Sequence, residues 1–305
     1  MIKKDINTKN IFLCSFATKN LTYDKNRFLN EALSFNIFKK IYLYDLYDLD
    51  KKTRSLIKSS STQEPKLKGY NHGYFVWKPE IIKKTLDKIP ENSFLLYTDI
   101  GCFLNLNGKS SLDEYINICD KFSCIGFQYR KPNKPLLDGV NIKYQEYFEF
   151  NFTKMEVFDY FNINNKSKIY NSEMMWAGGF LLKKNEITKN FIQEWIDASQ
   201  IKLLNKEYDK MKNILLKKPR SDQSIFSILF KKYNFKSLCA SEEVEWVITY
   251  DQNNNQKKNF DHLRLKPIQA RRLKKIKLNF WSKLKSFVLK TCVDLKFLKN
   301  KERKI

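Results

Sequence analysis

Ile11-Phe12-Leu13-Cys14-Ser15-Phe16-Ala17-Thr18 is an apolar run that closes on small polar residues, and it predicts a buried first strand. Asp24 to Phe35 follows, with Phe28, Leu29, Ala32, Leu33 and Phe35 at near-helical spacing. Lys40-Ile41-Tyr42-Leu43-Tyr44-Asp45 then predicts a second strand. Strand, helix and strand in that order argue for an α/β fold, a mostly parallel sheet with helices on its faces. Further along, Ser59 to Lys68 reads as a polar loop and Pro79 to Lys88 as a helix with Pro79 in its first turn. Phe94-Leu95-Leu96-Tyr97-Thr98 is a third strand and Phe122 to Tyr129 a fourth, and no internal repeat is visible.

The composition supports a large folded body. With 305 residues, 24 Phe and 16 Tyr, there is ample material for a core, and disorder over the whole length is not expected. Six cysteines occur with no Cys-x-x-Cys pair, so they read as reduced core thiols in a cytosolic compartment. The first apolar run is too short for a signal peptide, and no stretch approaches the roughly 18 apolar residues of a spanning helix. A soluble or peripheral protein is expected.

The net charge of +24 is unevenly spread: from Lys266 to Ile305 stand 14 Lys or Arg against only Asp294 and Glu302, half of the excess. The chain therefore divides into a body, 1–265, and a basic tail, 266–305. Ile276, Phe280, Leu284, Phe287, Val288, Leu295 and Leu298 form the apolar stripe of a C-terminal amphipathic helix among lysines. Such a helix suits an anionic membrane surface, here the inner face of the cell membrane. An ordinary helix packed on the body is the plainer reading. A nucleic-acid partner is not expected, since no recognised binding module precedes the tail.

Five segments carry chemistry. Asp99 ends the third strand, where ligands bind in an open α/β sheet, and Gly101 follows it in Asp99-Ile100-Gly101-Cys102. A buried carboxylate needs a partner charge or a metal, though an Asp here can also cap the next turn. Upstream, Gly69-Tyr70-Asn71-His72-Gly73-Tyr74-Phe75-Val76-Trp77-Lys78-Pro79 feeds a helix whose N-terminus attracts phosphate, with Lys78 adding charge. In Trp176-Ala177-Gly178-Gly179-Phe180 two glycines precede a strand and leave room for a sugar or phosphate to reach backbone N–H groups. Arg220-Ser221-Asp222-Gln223-Ser224 opens a helix with Asp222 as a natural N-cap. Asp261-His262-Leu263-Arg264 ends the body, and the chain's two histidines, His72 and His262, both fall in these segments.

Taken in order, these five segments resemble a bacterial GT-A glycosyltransferase family that builds surface polysaccharide, capsule or lipooligosaccharide, and the similarity spans roughly residues 10 to 266. The resemblance implies the GT-A fold, a Rossmann-like mixed, mostly parallel sheet flanked by helices. It implies a nucleotide-sugar donor, a glycan or lipid-linked glycan acceptor, and Mn2+ or Mg2+ bridging the donor diphosphate. Asp99 and His262 would be the metal ligands, although Asp99-Ile100-Gly101 lacks the second acid of the family's Asp-x-Asp motif. Asp222 and Gln223 take the catalytic, sugar-facing role of retaining enzymes. Donor binding falls to Thr18, His72, Trp77, Lys78, Asp99, Gly101, Gly178, Gly179 and Arg264. Metal-independent sugar transfer remains open because of the missing acid, and a basic nucleic-acid binder is the rival from another class. A nucleotidyl- or phosphotransferase is disfavoured by the absence of a G-x-x-x-x-G-K loop.

Overall fold

A computed structural model describes residues 9–60, 75–133, 135–137, 142–144, 147–201, 220–250 and 255–271. His72, most of the polar loop and nearly all of the basic tail lie outside the described residues.

The chain opens β1 (Ile11–Phe16), α1 (Thr22–Phe35), β2 (Phe38–Tyr44) and α2 (Lys51–Ser60), followed by α3 (Trp77–Leu86), β3 (Phe94–Thr98) and β4 (Phe103–Leu104). Then come α4 (Lys109–Phe122), β5 (Cys124–Gln128), β6 (Ile142–Lys143), α5 (Glu149–Phe152), α6 (Met155–Tyr160) and β7 (Met175–Lys183). The last part holds α7 (Glu186–Ser199), α8 (Ser221–Lys232), β8 (Lys236–Cys239), α9 (Ala240–Glu243), β9 (Val247–Tyr250), β10 (Gln256–Asn259) and β11 (Ile268–Gln269).

The central sheet has six strands in the order β2-β1-β3-β7-β5-β8. All pairings are parallel except those of β7, which runs against both β3 and β5. The sheet is thus mixed and mostly parallel. Alternate residues of β1 face opposite ways. Phe12, Cys14 and Phe16 join one buried cluster with Ile81, Trp195 and Phe226, while Ile11 and Leu13 join a second with Phe28, Phe35 and Ile116. Helices α3, α7 and α8 cover the first face, and α1 and α4 the second. This two-sided cover is why the central strands read as continuous apolar runs.

Several expectations need correction. Phe122 ends α4, and the strand begins only at Cys124, because Ser123 turns the chain at φ 64°. Ser59 and Ser60 belong to α2 rather than to a loop. Gly178 and Gly179 lie inside β7, not before it. The body also runs past residue 265, since β11 pairs with β4 and the amide of Ala270 donates to the Val244 carbonyl. That closure depends on Gly108, where a Cβ would stand 2.2 Å from the Pro267 nitrogen. The five described cysteines are all buried, and none of them is in a disulfide.

Candidate active site

The carboxyl ends of β1 and β3 lie together, and the antiparallel β7 brings its first residues to the same edge, with Thr98 opposite Gly179. Along β5 the pairing jumps from Phe180 to Trp176, so Ala177 to Gly179 bulge out of that ladder. The bulge leaves two carbonyls for other work. Gly178 accepts from the Asp99 amide at 2.8 Å, and Ala177 accepts from Lys78 Nζ at 3.0 Å.

Lys78 enters from the first turn of α3 and Asp222 from the first turn of α8. They meet above the bulge at 2.8 Å, with only 3% and 8% of each residue exposed. Asp99, with a third of its side chain exposed, stands 3.6 Å from the same ammonium and accepts from the Tyr97 hydroxyl at 2.6 Å. Burial works against the Lys78 charge, but the carboxylates of Asp222 and Asp99 outweigh it and hold its pKa above the ordinary lysine value. Burial pushes the Asp222 carboxyl up, with Lys78 pulling the other way and Asp99 adding repulsion. Burial, then Asp99, raises Tyr97 well above the ordinary phenol, so it remains a donor. One cation thus serves two carboxylates in a mostly buried cluster, where charge–charge interactions are strong.

The sequence suggested Asp222 as an N-cap, yet the residue before α8 is Arg220 and no side chain caps the helix. The Asp222 carboxylate turns instead to Lys78, which is a stronger, charge-assisted bond. The start of α8 is fixed by Phe152, whose carbonyl accepts from the Arg220 amide and the Ser224 hydroxyl. Farther along, buried Glu149 gathers Ser227, Thr153 and Lys231, locking α8 to α5.

Of the other predicted residues, Gly178 meets Asp99 directly through its carbonyl. Thr18 is buried just after β1, and Trp77 is buried with its indole stacked on Phe16 at 4.0 Å. The space beside Gly178 and Gly179 is taken by the Trp176 indole, 2.4 Å and 3.0 Å from the Cβ positions. Gly101 lies in the turn after Asp99. Arg264 is exposed, and its carbonyl accepts from Asn105. His262 places Nε2 3.0 Å from the Glu245 carbonyl, and burial lowers its pKa. No described contact joins His262 to Asp99, and among the described residues no three His, Cys, Asp or Glu side chains converge on a metal site. Asp99, with a third of its side chain exposed at the edge of the cluster, suits a hard cation.

Two arginines were not foreseen. Arg27, on α1, donates to the carbonyls of Ile100 at 2.7 Å and Cys102 at 2.9 Å, pairs with Glu31 at 2.8 Å, and stacks on Phe103. It therefore clamps the turn that carries Asp99. In sequence its pairing with Glu31 looks like any surface i, i+4 pair. Arg220 sits beside Gln223, and only its place before Asp222-Gln223 hinted at a role.

No protein-family model matches the chain, and no curated protein matches it in sequence. Among solved structures it is similar to mouse xyloside xylosyltransferase 1 in its apo form, at 10% identity over 77% of this chain and 87% of that one, TM-score 0.41. It is similar to a glycosyltransferase involved in glycosylation of the major capsid of PBCV-1, at 7% identity over 92% and 99%, TM-score 0.40. It is also similar to the glycosyltransferase GlyE of Streptococcus pneumoniae TIGR4, at 16% identity over 76% and 46%, TM-score 0.35. At these identities and TM-scores the likeness decides neither substrate nor chemistry.

Proposed function

We propose that this chain is a glycosyltransferase, moving a sugar from a nucleotide-sugar donor to a glycan acceptor, with Lys78, Asp99 and Asp222 at its reacting centre. The observation that carries the reading is the buried Lys78–Asp222 pair with Asp99 beside it at the carboxyl edge of the sheet. Burying charges costs stability, and a buried charge cluster at the carboxyl edge of an α/β sheet is a mark of function.

Cleaving a glycosyl–phosphate bond leaves positive charge on the sugar and negative charge on the departing diphosphate. Asp222, with Gln223 next to it, stabilises the sugar side in a retaining reaction. Lys78 keeps Asp222 ionised and oriented, and Tyr97 fixes Asp99. A Mn2+ or Mg2+ ion on Asp99 would neutralise the leaving diphosphate. Transfer without a resident metal is the second reading, favoured by the Lys78 ammonium already lying 3.6 Å from Asp99.

The test is release of sugar from a panel of nucleotide sugars by the wild type and by Asp222→Asn, with divalent ions and after chelation. Turnover by the wild type that falls at least about 100-fold in the variant supports the reading. Equal turnover in both removes Asp222 from the chemistry. No turnover of any donor favours the basic nucleic-acid binder instead.

We assign the product to bacterial surface polysaccharide, made from a lipid-linked acceptor at the inner membrane face. The basic tail supports that placement, and beyond Arg271 it lies outside the described residues. No helix among the described residues is long and apolar enough to cross a membrane. Sedimentation with anionic liposomes, with and without residues 272–305, tests the tail, and equal partitioning counts against it.

A further inference from the structure

The head of α8 holds more hydrogen-bond donors than acceptors. Arg220 immediately precedes it, and its guanidinium lies on the faces of Tyr147 at 4.8 Å and Phe152 at 5.7 Å. Its side chain donates to Gln223 Oε1 at 3.4 Å and also to the Tyr147 side chain, and among the described residues it makes no ion pair with a carboxylate. Gln223 is only 8% exposed, yet its Nε2 has no hydrogen-bond partner among the described residues. The helix itself has no side-chain cap. Asp222, the acid in this turn, is committed to Lys78 at 2.8 Å. A buried donor left unmatched is costly, and a guanidinium, an amide NH2 and a helix N-terminus all ask for the same complement.

We propose that the head of α8 is an anion-binding subsite, in which the Arg220 guanidinium and the Gln223 side-chain amide hold the oxygens of a phosphate or carboxylate group on the substrate. The inference rests on the sugar-transfer reading for the identity of that substrate, but the subsite itself rests on the donors. Its planar fork lets Arg220 grip two oxygens at once, while the aromatic faces keep the guanidinium from turning away. A phosphate would come from the donor's diphosphate, and a carboxylate from an acidic sugar.

Calorimetric titration with inorganic pyrophosphate, uridine diphosphate and glucuronate, on the wild type, Arg220→Gln and Arg220→Lys, tests it. Binding of at least one probe is expected to weaken about tenfold or more in Arg220→Gln, and less in Arg220→Lys. Pyrophosphate and the nucleotide weakening together identify phosphate as the group held, whereas glucuronate weakening alone identifies carboxylate. All three probes binding the variants within about twofold of the wild type overturns the subsite, as does a wild type that binds none of them. Should Arg220→Gln fail to fold, Gln223→Glu supplies the same reading. A carboxylate there would pair with Arg220 and abolish anion binding, and unchanged binding overturns the proposal. The two readings separate cleanly. Wild-type turnover with an indifferent Arg220 leaves sugar transfer standing, while Arg220-dependent anion binding without turnover of any donor leaves only the subsite.

Discussion

Lys78→Met removes the ammonium while keeping the length of the side chain, so it isolates the worth of the buried pair. Lys78 has three acceptors within 3.6 Å, Asp222, the Ala177 carbonyl and Asp99, and the first of these is itself nearly buried. Breaking one partner out of a buried pair costs about 3–5 kcal/mol, since the remaining charge is stranded. For a domain of this size that is a fall in Tm of about 6–20 °C. The loss carries a pH signature. Burial already raises the Asp222 carboxyl, and without Lys78 nothing opposes that rise except hydrogen bonding. A carboxyl with a folded pKa above its unfolded one destabilises the fold where it must ionise, and the penalty fades as pH falls through the folded value. Lys78→Met is therefore expected to recover toward wild type as pH is lowered from neutral into the acid range, where the raised Asp222 carboxyl takes up its proton. The double variant Lys78→Met/Asp222→Leu is expected to lose far less stability than the single one, while remaining inactive. Urea unfolding across that pH range is the assay. A single variant within about 1 kcal/mol of wild type at every pH would refute the reasoning.

Other perturbations follow from the same geometry. Arg27→Ala removes the clamp on the Ile100 and Cys102 carbonyls and is expected to cost about 1.5–3 kcal/mol in urea unfolding, with Arg27→Lys losing less. Gly108→Ala forces a Cβ against the backbone of Pro267 and is expected to cost at least about 1–3 kcal/mol, read by thermal melting. His262 has its folded pKa lowered by burial from the ordinary 6.5, so the unfolded chain takes up the proton first. Stability is then present above about pH 6.5 and lost as pH falls below it, and His262→Gln is expected to flatten that dependence in a Tm-against-pH series.

Much of the sheet was legible because buried strands and amphipathic helices write their periods into the chain. The strand predicted over Ile11 to Thr18, the helix over Asp24 to Phe35 and the strand over Phe94 to Thr98 fall on β1, α1 and β3. The direction of β7 was not legible, since its apolar run would suit either sense and only its register against β3 and β5 shows which way it runs. The glycines misled for a local reason: they make room for the Trp176 ring, a contact between near neighbours in one strand. Asp99, Lys78 and Asp222 stood out as charges at element ends, yet their meeting depends on the antiparallel strand and on the way α8 is anchored through Phe152 and Glu149. Spacing in sequence carries none of that, and Arg27 and Arg220 were missed for the same reason.

The account's central claim is that Asp99 and the Lys78–Asp222 pair form the donor site of a sugar transferase. Its most direct test is calorimetric titration of nucleoside diphosphates and their sugars, on the wild type and on Asp99→Ala, with Mn2+ and after chelation. The account expects one nucleotide class to bind the wild type and to bind Asp99→Ala about tenfold more weakly or worse, with Mn2+ strengthening only the wild type. A wild type that binds no nucleotide, or an Asp99→Ala variant that binds as tightly as the wild type, would contradict it.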